Sequence, residues 1–331
     1  MRTCIGLDIG RSSVKVVARS DAGRAQLLFP SSVCPSIPLT DEREAARATS
    51  DTVRLNGSSF FFGETAQLQG GDDLAGGLRD DWVFTPNHAV LFKGALWRLK
   101  LMNVPGLDSA LIILGLPAQL YASQKRELTE CMKPYAPATA EVRVSSQPLG
   151  PYQQLLFTAD GSETGEFNAD DSSWGVIEIG QYTTDYALLL EGRVIENAFG
   201  STDGMSICAT RLQKTLQDRG ISITMVEATQ CLESQRLKQF GKWIDLTAEV
   251  DSAIQPLATR VVDKANHLIG RHARALDGIL VAGGGAPLLM PALRRAWPHV
   301  QLLEKPRFAV AEGFHRFALA LEQYRKTTLA A

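Results

Sequence analysis

The amino-acid sequence predicts an α/β fold with two related lobes, each containing a mixed sheet flanked by helices, and a cleft between the lobes. Three observations support this prediction. The length of 331 residues favours two domains over one. Short strand candidates and longer helix candidates are distributed along the whole chain. A strand–turn–strand motif near the N-terminus recurs in the second half of the sequence.

The recurring motif is an apolar strand that ends in an acidic residue, a glycine turn and hydroxyl side chains, followed by a second strand. It occupies Cys4–Val17 and again Trp174–Leu188. Glu178 lies 170 residues after Asp8, Gly180 lies 170 residues after Gly10, and Ser13 pairs with Thr183 at the same offset. The equal spacing indicates two related lobes rather than two chance hairpins.

A second pair of segments keeps this offset. Leu111–Pro117 and Val281–Pro287 both run from an apolar strand into a glycine turn. Gly285 lies 170 residues after Gly115, and the prolines keep the same spacing. We therefore expect the two lobes to share a second structural element and to face each other.

Apolar runs of three to five residues predict ten strands. They are Cys4–Leu7, Val14–Ala18, Leu27–Phe29, Phe60–Phe62, Ala110–Leu114, Val142–Val144, Val176–Ile179, Tyr186–Leu190, Val194–Ala198 and Gly278–Ala282. Between them, two segments rich in Asp, Ser, Thr and Gly are predicted as loops, at Thr40–Gly57 and Thr158–Ser173.

Longer periodic segments predict seven helices. They are Pro86–Leu101, Ala118–Lys133, Gly204–Asp218, Met225–Gln239, Leu246–Ala275, Pro287–Trp297 and Ala311–Thr327. We expect the longest of them to break near Pro256, because a proline disrupts a helix interior.

Composition excludes several classes of protein. A formal net charge of −2 and a pI near 6.2 give no general reason to bind DNA or anionic lipid directly. The five cysteines are widely spaced, and none belongs to a CxxC motif. This pattern is typical of proteins in a reducing cytosol, which lack disulfide bonds. We find no signal peptide and no apolar run long enough to span a bilayer. The sequence therefore predicts a cytoplasmic protein without a membrane partner.

The turn of the first motif has the chemistry of a phosphate site. Gly10 allows the backbone to approach a ligand closely, and Ser12 and Ser13 offer hydroxyl and N–H groups. Lys15 adds a positive charge, and Asp8 can order the water shell of Mg²⁺. A strand follows the glycine, so this is neither a Rossmann nor a Walker loop, both of which need a helix there. The alternative is an ordinary hairpin with polar residues in its turn.

The second motif repeats this chemistry with Thr183 and Thr184. Glu178 would face Asp8 across the cleft, and two carboxylates near one point favour a cation between them. The alternative is that Glu178 is a carboxylate at the rim with no ligand.

A third element, Gly283–Gly285 with Pro287, ends a strand and starts a helix. Its glycines would allow a flat ligand such as a purine or ribose to lie against the backbone. The alternative is a tight strand–helix turn.

These three elements, in this order, resemble those of the actin, Hsp70 and sugar-kinase ATPase superfamily. Further segments resemble the bacterial actin-like plasmid segregation ATPases of the ParM/StbA type. They are Gly115–Pro117, Ser146–Gly150, Gly180–Asp185 and Phe308–Phe314. The resemblance implies an actin-like ATPase fold, with the nucleotide in the cleft between the lobes.

The resemblance also implies roles for individual residues. The β- and γ-phosphates of ATP, or of GTP as the alternative, would be held by two turns and the adenosine by a third. The nucleotide-binding residues would be Asp8, Gly10, Arg11, Ser12, Ser13, Lys15, Gly180, Gln181, Tyr182, Thr183, Thr184, Gly204, Gly283, Gly284 and Gly285. Asp8 and Glu178 would serve Mg²⁺ and catalysis, and Gln147 would position the attacking water. The family usually has Asp where this chain has Glu178, which puts ion geometry and hydrolysis rate in question.

By the same resemblance, residues 1–168 form lobe I, completed by a C-terminal helix at 312–331, and residues 169–311 form lobe II. Small subdomains would lie at about 20–80 and about 205–275. The implied function is an ATPase that polymerises into nucleotide-dependent filaments and segregates plasmid DNA. It would contact other subunits and a centromere-binding adaptor of the ParR type, and DNA only indirectly.

Two other functions remain open on the same fold. A small-molecule kinase needs a carboxylate base near the substrate hydroxyl, and we find no convincing candidate. A non-polymerising scaffold ATPase commonly carries an amphipathic membrane tail, and Thr327–Ala331 does not resemble one.

Overall fold

The computed structural model describes residues 2–21, 23–70 and 80–330. The chain divides into two compact units. The first comprises Met1–Phe167 and Phe308–Ala331, and the second comprises Asn168–Arg307. The sequence placed the changes of lobe at 168/169 and 311/312, whereas the structure places them at 167/168 and 307/308.

In its described residues, the first unit contains eight strands and six α-helices. The strands are β1 (Cys4–Ile9), β2 (Ser13–Ser20), β3 (Gly23–Pro30), β4 (Val33–Pro35), β5 (Thr52–Leu55), β6 (Ser58–Phe62), β7 (Leu111–Leu116) and β8 (Glu141–Ser146). The helices are α1 (Glu42–Ser50), α2 (Gly63–Gln69), α3 (Pro86–Leu101), α4 (Ala118–Met132), α5 (Leu149–Leu156) and, from the end of the chain, α10 (Ala309–Ala330).

The main sheet of the first unit has the order β3-β2-β1-β7-β8. Strand β1 is antiparallel to β2 and parallel to β7, which in turn is parallel to β8. Both β1 and β7 are buried along their whole length, as expected for central strands covered on both faces. Helix α10 packs directly on β1 at Gly6, where any side chain would overlap the backbone of Ala311. The C-terminal helix is thus part of the first unit.

A small sheet with the order β4-β6-β5 also belongs to the first unit. The prediction of a loop over Thr40–Gly57 is wrong, since this segment contains α1 and β5. Asp41 caps α1 by accepting a hydrogen bond from the Glu44 N–H at 2.9 Å. The polar residues that suggested a loop are therefore the cap and the exposed face of a short helix.

The second unit contains eight strands and four helices. The strands are β9 (Trp174–Ile179), β10 (Thr183–Leu190), β11 (Arg193–Val194), β12 (Gly200–Asp203), β13 (Arg236–Gln239), β14 (Lys242–Asp245), β15 (Gly278–Ala282) and β16 (Val300–Leu302). The helices are α6 (Ser206–Asp218), α7 (Met225–Ser234), α8 (Thr247–Ala273) and α9 (Ala286–Ala296).

The main sheet of the second unit has the order β11-β10-β9-β15-β16, with β12 also paired to β10. Strand β9 is antiparallel to β10 and parallel to β15, and β15 is parallel to β16. The strand order and directions repeat those of the first unit. The predicted α/β fold with two related sheet-containing halves is confirmed.

The registers show how far the internal repeat extends. Asp8 pairs with Lys15 across β1 and β2, and Glu178 pairs with Asp185 across β9 and β10, at an offset of 170. The second pair of segments does not keep this offset. In the first unit, Cys4 of β1 pairs with Leu111 of β7, and in the second unit the equivalent Trp174 of β9 pairs with Gly278 of β15. Strand β15 therefore corresponds to β7 at an offset of 167, so Gly285 is not the register partner of Gly115.

Three element predictions in the second unit are wrong. The strand predicted at Val194–Ala198 is a two-residue strand followed by a 3₁₀ turn. The helix predicted at Met225–Gln239 ends at Ser234, because Gln235 adopts a left-handed conformation (φ 54°) and a hairpin follows. The break expected at Pro256 does not occur. Helix α8 runs through it because residues on both sides, such as Ile254 and Leu257, are buried in one core.

Within the described ranges, none of the helices combines the length and apolar character that a membrane crossing requires. All five cysteines are free thiols.

Candidate functional site

The turn between β1 and β2 is fixed by a small set of hydrogen bonds. The Gly10 N–H donates to the Ser13 carbonyl oxygen at 3.1 Å. From the neighbouring strand end, the Ser31 N–H donates to the Ser12 carbonyl at 3.0 Å, and the Ser31 hydroxyl donates to the Gly10 carbonyl. Sequence reasoning missed Ser31, because it follows β3 and carries no motif of its own. The turn is thus held from two sides, with Ser12 exposed and Ser13 half-buried.

Asp8 is the centre of a polar cluster directly below this turn. Its side chain is buried, and the residue is 5% exposed. Lys15 Nζ lies 3.0 Å from Asp8 Oδ2, and Gln147 Nε2 donates to Asp8 Oδ1 at 2.9 Å. The structure therefore brings together three of the predicted site residues, although Gln147 lies 139 positions after Asp8 in the sequence.

The fold explains how Gln147 reaches Asp8. It follows β8 directly, and its N–H donates to the Leu116 carbonyl at the end of β7, at 2.9 Å. A Cβ atom at Gly115 would lie 3.0 Å from Gln147 Cγ, so the glycine leaves room for this side chain. Gln147 is therefore a partly buried, anchored residue and not a freely moving loop glutamine.

The ammonium group of Lys15 contacts a carboxylate of the protein itself. In the structure it neutralises Asp8, its cross-strand partner. A phosphate at the turn would compete with Asp8 for this ammonium group, since both are charge-assisted acceptors. The predicted contact with phosphate and the observed ion pair are compatible, because an ammonium group has three donors and can bond to both acceptors.

The side chain of Arg11 leaves the turn in another direction. Its guanidinium carbon lies 5.9 Å from the ring centroid of Trp82, within the range of a cation–π contact. Trp82 is nearly buried and precedes α3. No sequence motif indicated this residue.

The turn between β9 and β10 repeats the backbone geometry of the first. The Gly180 N–H donates to the Thr183 carbonyl at 2.8 Å, which is the same bond 170 positions later. Gly204 packs on this turn so closely that a Cβ atom would lie 2.7 Å from the Gly180 oxygen and from the carbonyl carbon of Tyr182. The Ser206 N–H donates to the Gln181 carbonyl at 2.6 Å. Gly204 thus supports the turn by leaving space beside it.

The two threonines of this turn have different environments. Thr184 is 0% exposed and its hydroxyl donates to the Asp203 carbonyl at 2.9 Å. Strand pairing thus turns this hydroxyl into the interior, and the contact of Thr184 with phosphate stays a prediction. Thr183 is half-buried, and its hydroxyl donates to Asp185 Oδ2 at 2.8 Å.

The glycine run after β15 lies beside Glu178. Gly283 has a left-handed backbone (φ 91°), and a Cβ atom there would lie 2.7 Å from Glu178 Oε1. The Gly285 N–H donates to the Ile179 carbonyl at 3.0 Å. The second unit therefore gathers Glu178, the Gly180 turn and the glycine run in one place.

Two charged residues next to Gly284 were not predicted. A Cβ atom at Gly284 would lie 3.2 Å from the Arg307 Nε atom, so this guanidinium lies against the glycine. Arg307 also forms an ion pair with Glu233 of α7. The sequence contains only a weak indication of this ion pair, because the two residues lie 74 positions apart.

Comparisons with known proteins cover both units. The family model for the N-terminal domain of actin-like proteins matches residues 6–150. The model described as archaeal actin homologue MreB-like, C-terminal, matches residues 176–295. No curated protein matches the sequence.

Solved structures match nearly the whole chain. A 15-stranded ParM filament from Clostridium botulinum has a TM-score of 0.76 at 20% identity, covering 96% of this chain and 99% of that one. An archaeal actin homologue in complex with ADP has a TM-score of 0.72 at 17% identity, covering 97% and 99%. MreB5 of Spiroplasma citri bound to ADP has a TM-score of 0.66 at 15% identity, covering 98% and 99%. At these identities the likeness concerns the fold.

Proposed function

This chain is an actin-like protein in fold, and from that premise we propose that it is an ATPase that polymerises into nucleotide-dependent filaments. Structural neighbours include a ParM filament and actin homologues bound to ADP. The observation that carries the proposal is the cluster of Asp8, Lys15 and Gln147 beneath the Gly10 turn. A buried carboxylate, a cation and a neutral amide at a glycine turn are of the kinds that hold Mg²⁺, contact phosphates and orient the attacking water in phosphoryl transfer.

Each unit would contribute one turn to the same nucleotide. The Gly10 and Gly180 turns each contain the same internal backbone hydrogen bond and have the same strand register, so they would present similar backbone N–H groups to the phosphates. The glycine run at Gly283–Gly285 would lie against the adenosine. Arg307, held by Glu233 beside Gly284, adds a planar cation suited to stacking on a purine.

The residues of the first unit fit a magnesium ion bound through water. The two oxygens of Asp8 accept one hydrogen bond each from Lys15 and Gln147, and a carboxylate can accept about four in all. Asp8 therefore retains acceptor sites for water molecules around Mg²⁺, and Glu178 would contribute in the same way from the second unit. The ion would neutralise charge on the phosphates.

Gln147 would orient the attacking water. Its Nε2 group is engaged with Asp8, which fixes the side chain and leaves the amide oxygen to accept a hydrogen bond from water. Asp8 would thus have two roles, since it orders the ion and aligns Gln147.

Plasmid segregation is the cellular function that we propose for these filaments, through a centromere-binding adaptor of the ParR type. The net charge of −2 favours contact with DNA through such a protein over direct contact. ATP is the expected nucleotide, with GTP as the alternative, because backbone contacts from glycines read stacking more than base edges.

Sedimentation and electron microscopy of the full chain test the proposal. With Mg-ATP the protein should pellet and show filaments, and with a non-hydrolysable analogue the filaments should persist. With ADP the pelleted fraction should be smaller, because the nucleotide state controls the contacts between subunits. A protein that binds nucleotide but remains monomeric at all concentrations in all three nucleotides would contradict polymerisation and favour the scaffold or kinase.

A further inference from the structure

The contact between Arg11 and Trp82 joins the Gly10 turn to helix α3. The Arg11 guanidinium carbon lies 5.9 Å from the Trp82 ring centroid, and Arg11 belongs to the turn that we propose as a phosphate site. Tryptophan is the best aromatic partner for a cation. A phosphate bound at this turn would therefore compete with the ring for the guanidinium.

The Trp82 ring also contacts His88 of α3. The two rings meet edge to face, with centroids 5.0 Å apart and an interplanar angle of 85°. His88 is fully buried, and in the described part of the chain neither of its ring nitrogens has a hydrogen-bond partner. Buried polar groups without partners are unfavourable and call for an explanation. Holding the Trp82 ring in place provides one.

The backbone of Trp82 is also tied to the start of α3. The Thr85 hydroxyl donates to the Trp82 carbonyl at 2.7 Å, and the Thr85 N–H donates to the same oxygen at 3.0 Å. Thr85 is the N-cap of α3. A shift of the Trp82 backbone would therefore act on the N-cap residue of this helix.

Helix α3 in turn contacts the end of α1 and the small sheet of the first unit. Arg98 forms an ion pair with Asp51 at 2.7 Å, and Trp97 donates to the Thr49 carbonyl at 3.4 Å. A Cβ atom at Gly94 would lie 2.8 Å from the Phe62 ring, so helix and strand β6 are in close contact. A continuous set of contacts therefore leads from the Gly10 turn to the small sheet.

We propose that Trp82 is a positioning residue for Arg11 and that this pair senses whether a nucleotide phosphate occupies the Gly10 turn. In the arrangement described, the guanidinium lies over the Trp82 ring. A phosphate competes for it with charge-assisted hydrogen bonds, which are stronger than the contact with a ring. Release of the ring then alters the first turn of α3. This inference rests on the proposed function, because it presumes a nucleotide at that turn.

The tryptophan emission of the full chain reports the event. We expect a non-hydrolysable ATP analogue with Mg²⁺ to shift the emission of the parent protein, and adenosine, which has no phosphate, to leave it unchanged. In Trp82→Phe the shift should be lost. In the matched control Trp243→Phe, which alters an exposed tryptophan of the second unit, the shift should remain.

Arg11→Lys provides a second variant that keeps the charge and loses the planar group. Its emission without nucleotide should already differ from that of the parent, and the analogue should change it little. Folding of each variant is checked by circular dichroism. Binding is measured separately with a fluorescently labelled ATP analogue, which does not depend on the tryptophans.

The outcomes separate this inference from the proposed function. If the parent binds the labelled analogue but its emission does not shift, the sensor is contradicted and the nucleotide site stands. The same holds if the shift survives undiminished in Trp82→Phe, or if Arg11→Lys behaves as the parent. If the parent does not bind the analogue, both proposals fail.

Discussion

At the scale of single residues, the environment of Asp8 decides what its neighbours can do. A carboxylate that is 5% exposed and bonded to both Lys15 and Gln147 fixes the direction of the glutamine amide. Burial of such a group is unfavourable unless it is paired, so the cluster is held together by the need to satisfy Asp8. The direction of the Gln147 side chain is therefore set by contacts within the first unit.

Gln147→Ala should lower ATP turnover by at least about tenfold, which corresponds to about 1.4 kcal/mol in the barrier. Nucleotide affinity should change little, since a group that orients water acts mainly in the transition state. Steady-state phosphate release and equilibrium binding measure the two effects. Gln124→Ala, on the half-exposed face of α4, is the matched control and should behave as the parent. Parental turnover in Gln147→Ala would mean that another group orients the water.

His88 should make stability depend on pH. Its burial lowers its pKa from 6.5 to about 3, because the interior disfavours the charged ring. The unfolded chain binds a proton below pH 6.5 and the folded chain does not, so stability is complete above pH 6.5 and falls as the pH decreases toward 3. This one group should remove about 1.4 kcal/mol per pH unit within that window.

Chemical denaturation between pH 7 and pH 5 measures this slope. His88→Phe keeps an aromatic ring against Trp82. In this variant, the change of the unfolding free energy with pH should be smaller by the contribution of one proton, about 1.4 kcal/mol per pH unit. An equal slope in the parent and in His88→Phe would show that other groups control the acid sensitivity.

At the scale of elements, α10 is positioned by glycines. Any side chain at Gly313 would overlap the Gly150 carbonyl of α5, and any side chain at Gly6 of β1 would overlap the backbone of α10. At these two glycines, the backbone of α10 thus lies directly against the backbones of α5 and β1. The segment Phe308–Phe314 was recognised in the sequence as part of the resemblance, and these contacts are the physical reason for its glycine.

Replacing Gly313 by alanine should lower the free energy of unfolding by about 3 kcal/mol or more, because the backbone on both sides must move. Gly270→Ala is the matched control, since Gly270 lies in helix α8 and its Cβ would meet only side-chain atoms of Asn266 at 3.4 Å or more. This change should raise stability by roughly 0.5–1 kcal/mol, the difference in helix propensity. Thermal unfolding of both variants gives the comparison. Equal effects of the two substitutions would rule out the close packing of α10.

The hairpins show how element predictions succeeded and failed. Short apolar runs beside a glycine turn were enough to predict β1, β2, β9 and β10, which form hairpins between neighbouring segments. The helix predicted through Gln239 failed, because a left-handed residue and a distant core decide where α7 ends. Likewise, burial around Pro256 overrides the local tendency of proline to break a helix.

At the scale of the whole molecule, the two units have the same sheet topology and equivalent turns. If one nucleotide is held by both, its binding must stabilise both. We expect a saturating non-hydrolysable ATP analogue to slow backbone hydrogen exchange at Gly10–Ser13 and at Gly180–Thr183 together. At about 100 times the dissociation constant, the gain in stability is about 2.7 kcal/mol.

Hydrogen exchange with mass spectrometry resolves the two turns separately. The edge hairpin β13–β14 serves as the internal control, since we assign it no part in nucleotide binding. Protection confined to one turn would mean that the nucleotide is bound by one unit alone.

By itself, the sequence determined the fold class, the internal repeat and the positions of the three glycine turns. These depend on local patterns, since strand periodicity and glycine spacing are properties of short segments. Only the tertiary structure decided which side chains meet. The pairing of Asp8 with Gln147, the burial of Thr184 and the contact of Arg11 with Trp82 depend on strand register and on packing between distant segments. The same applies to the shift of β15 to an offset of 167. A pattern within a short window carries no information about which distant segment will pack against it.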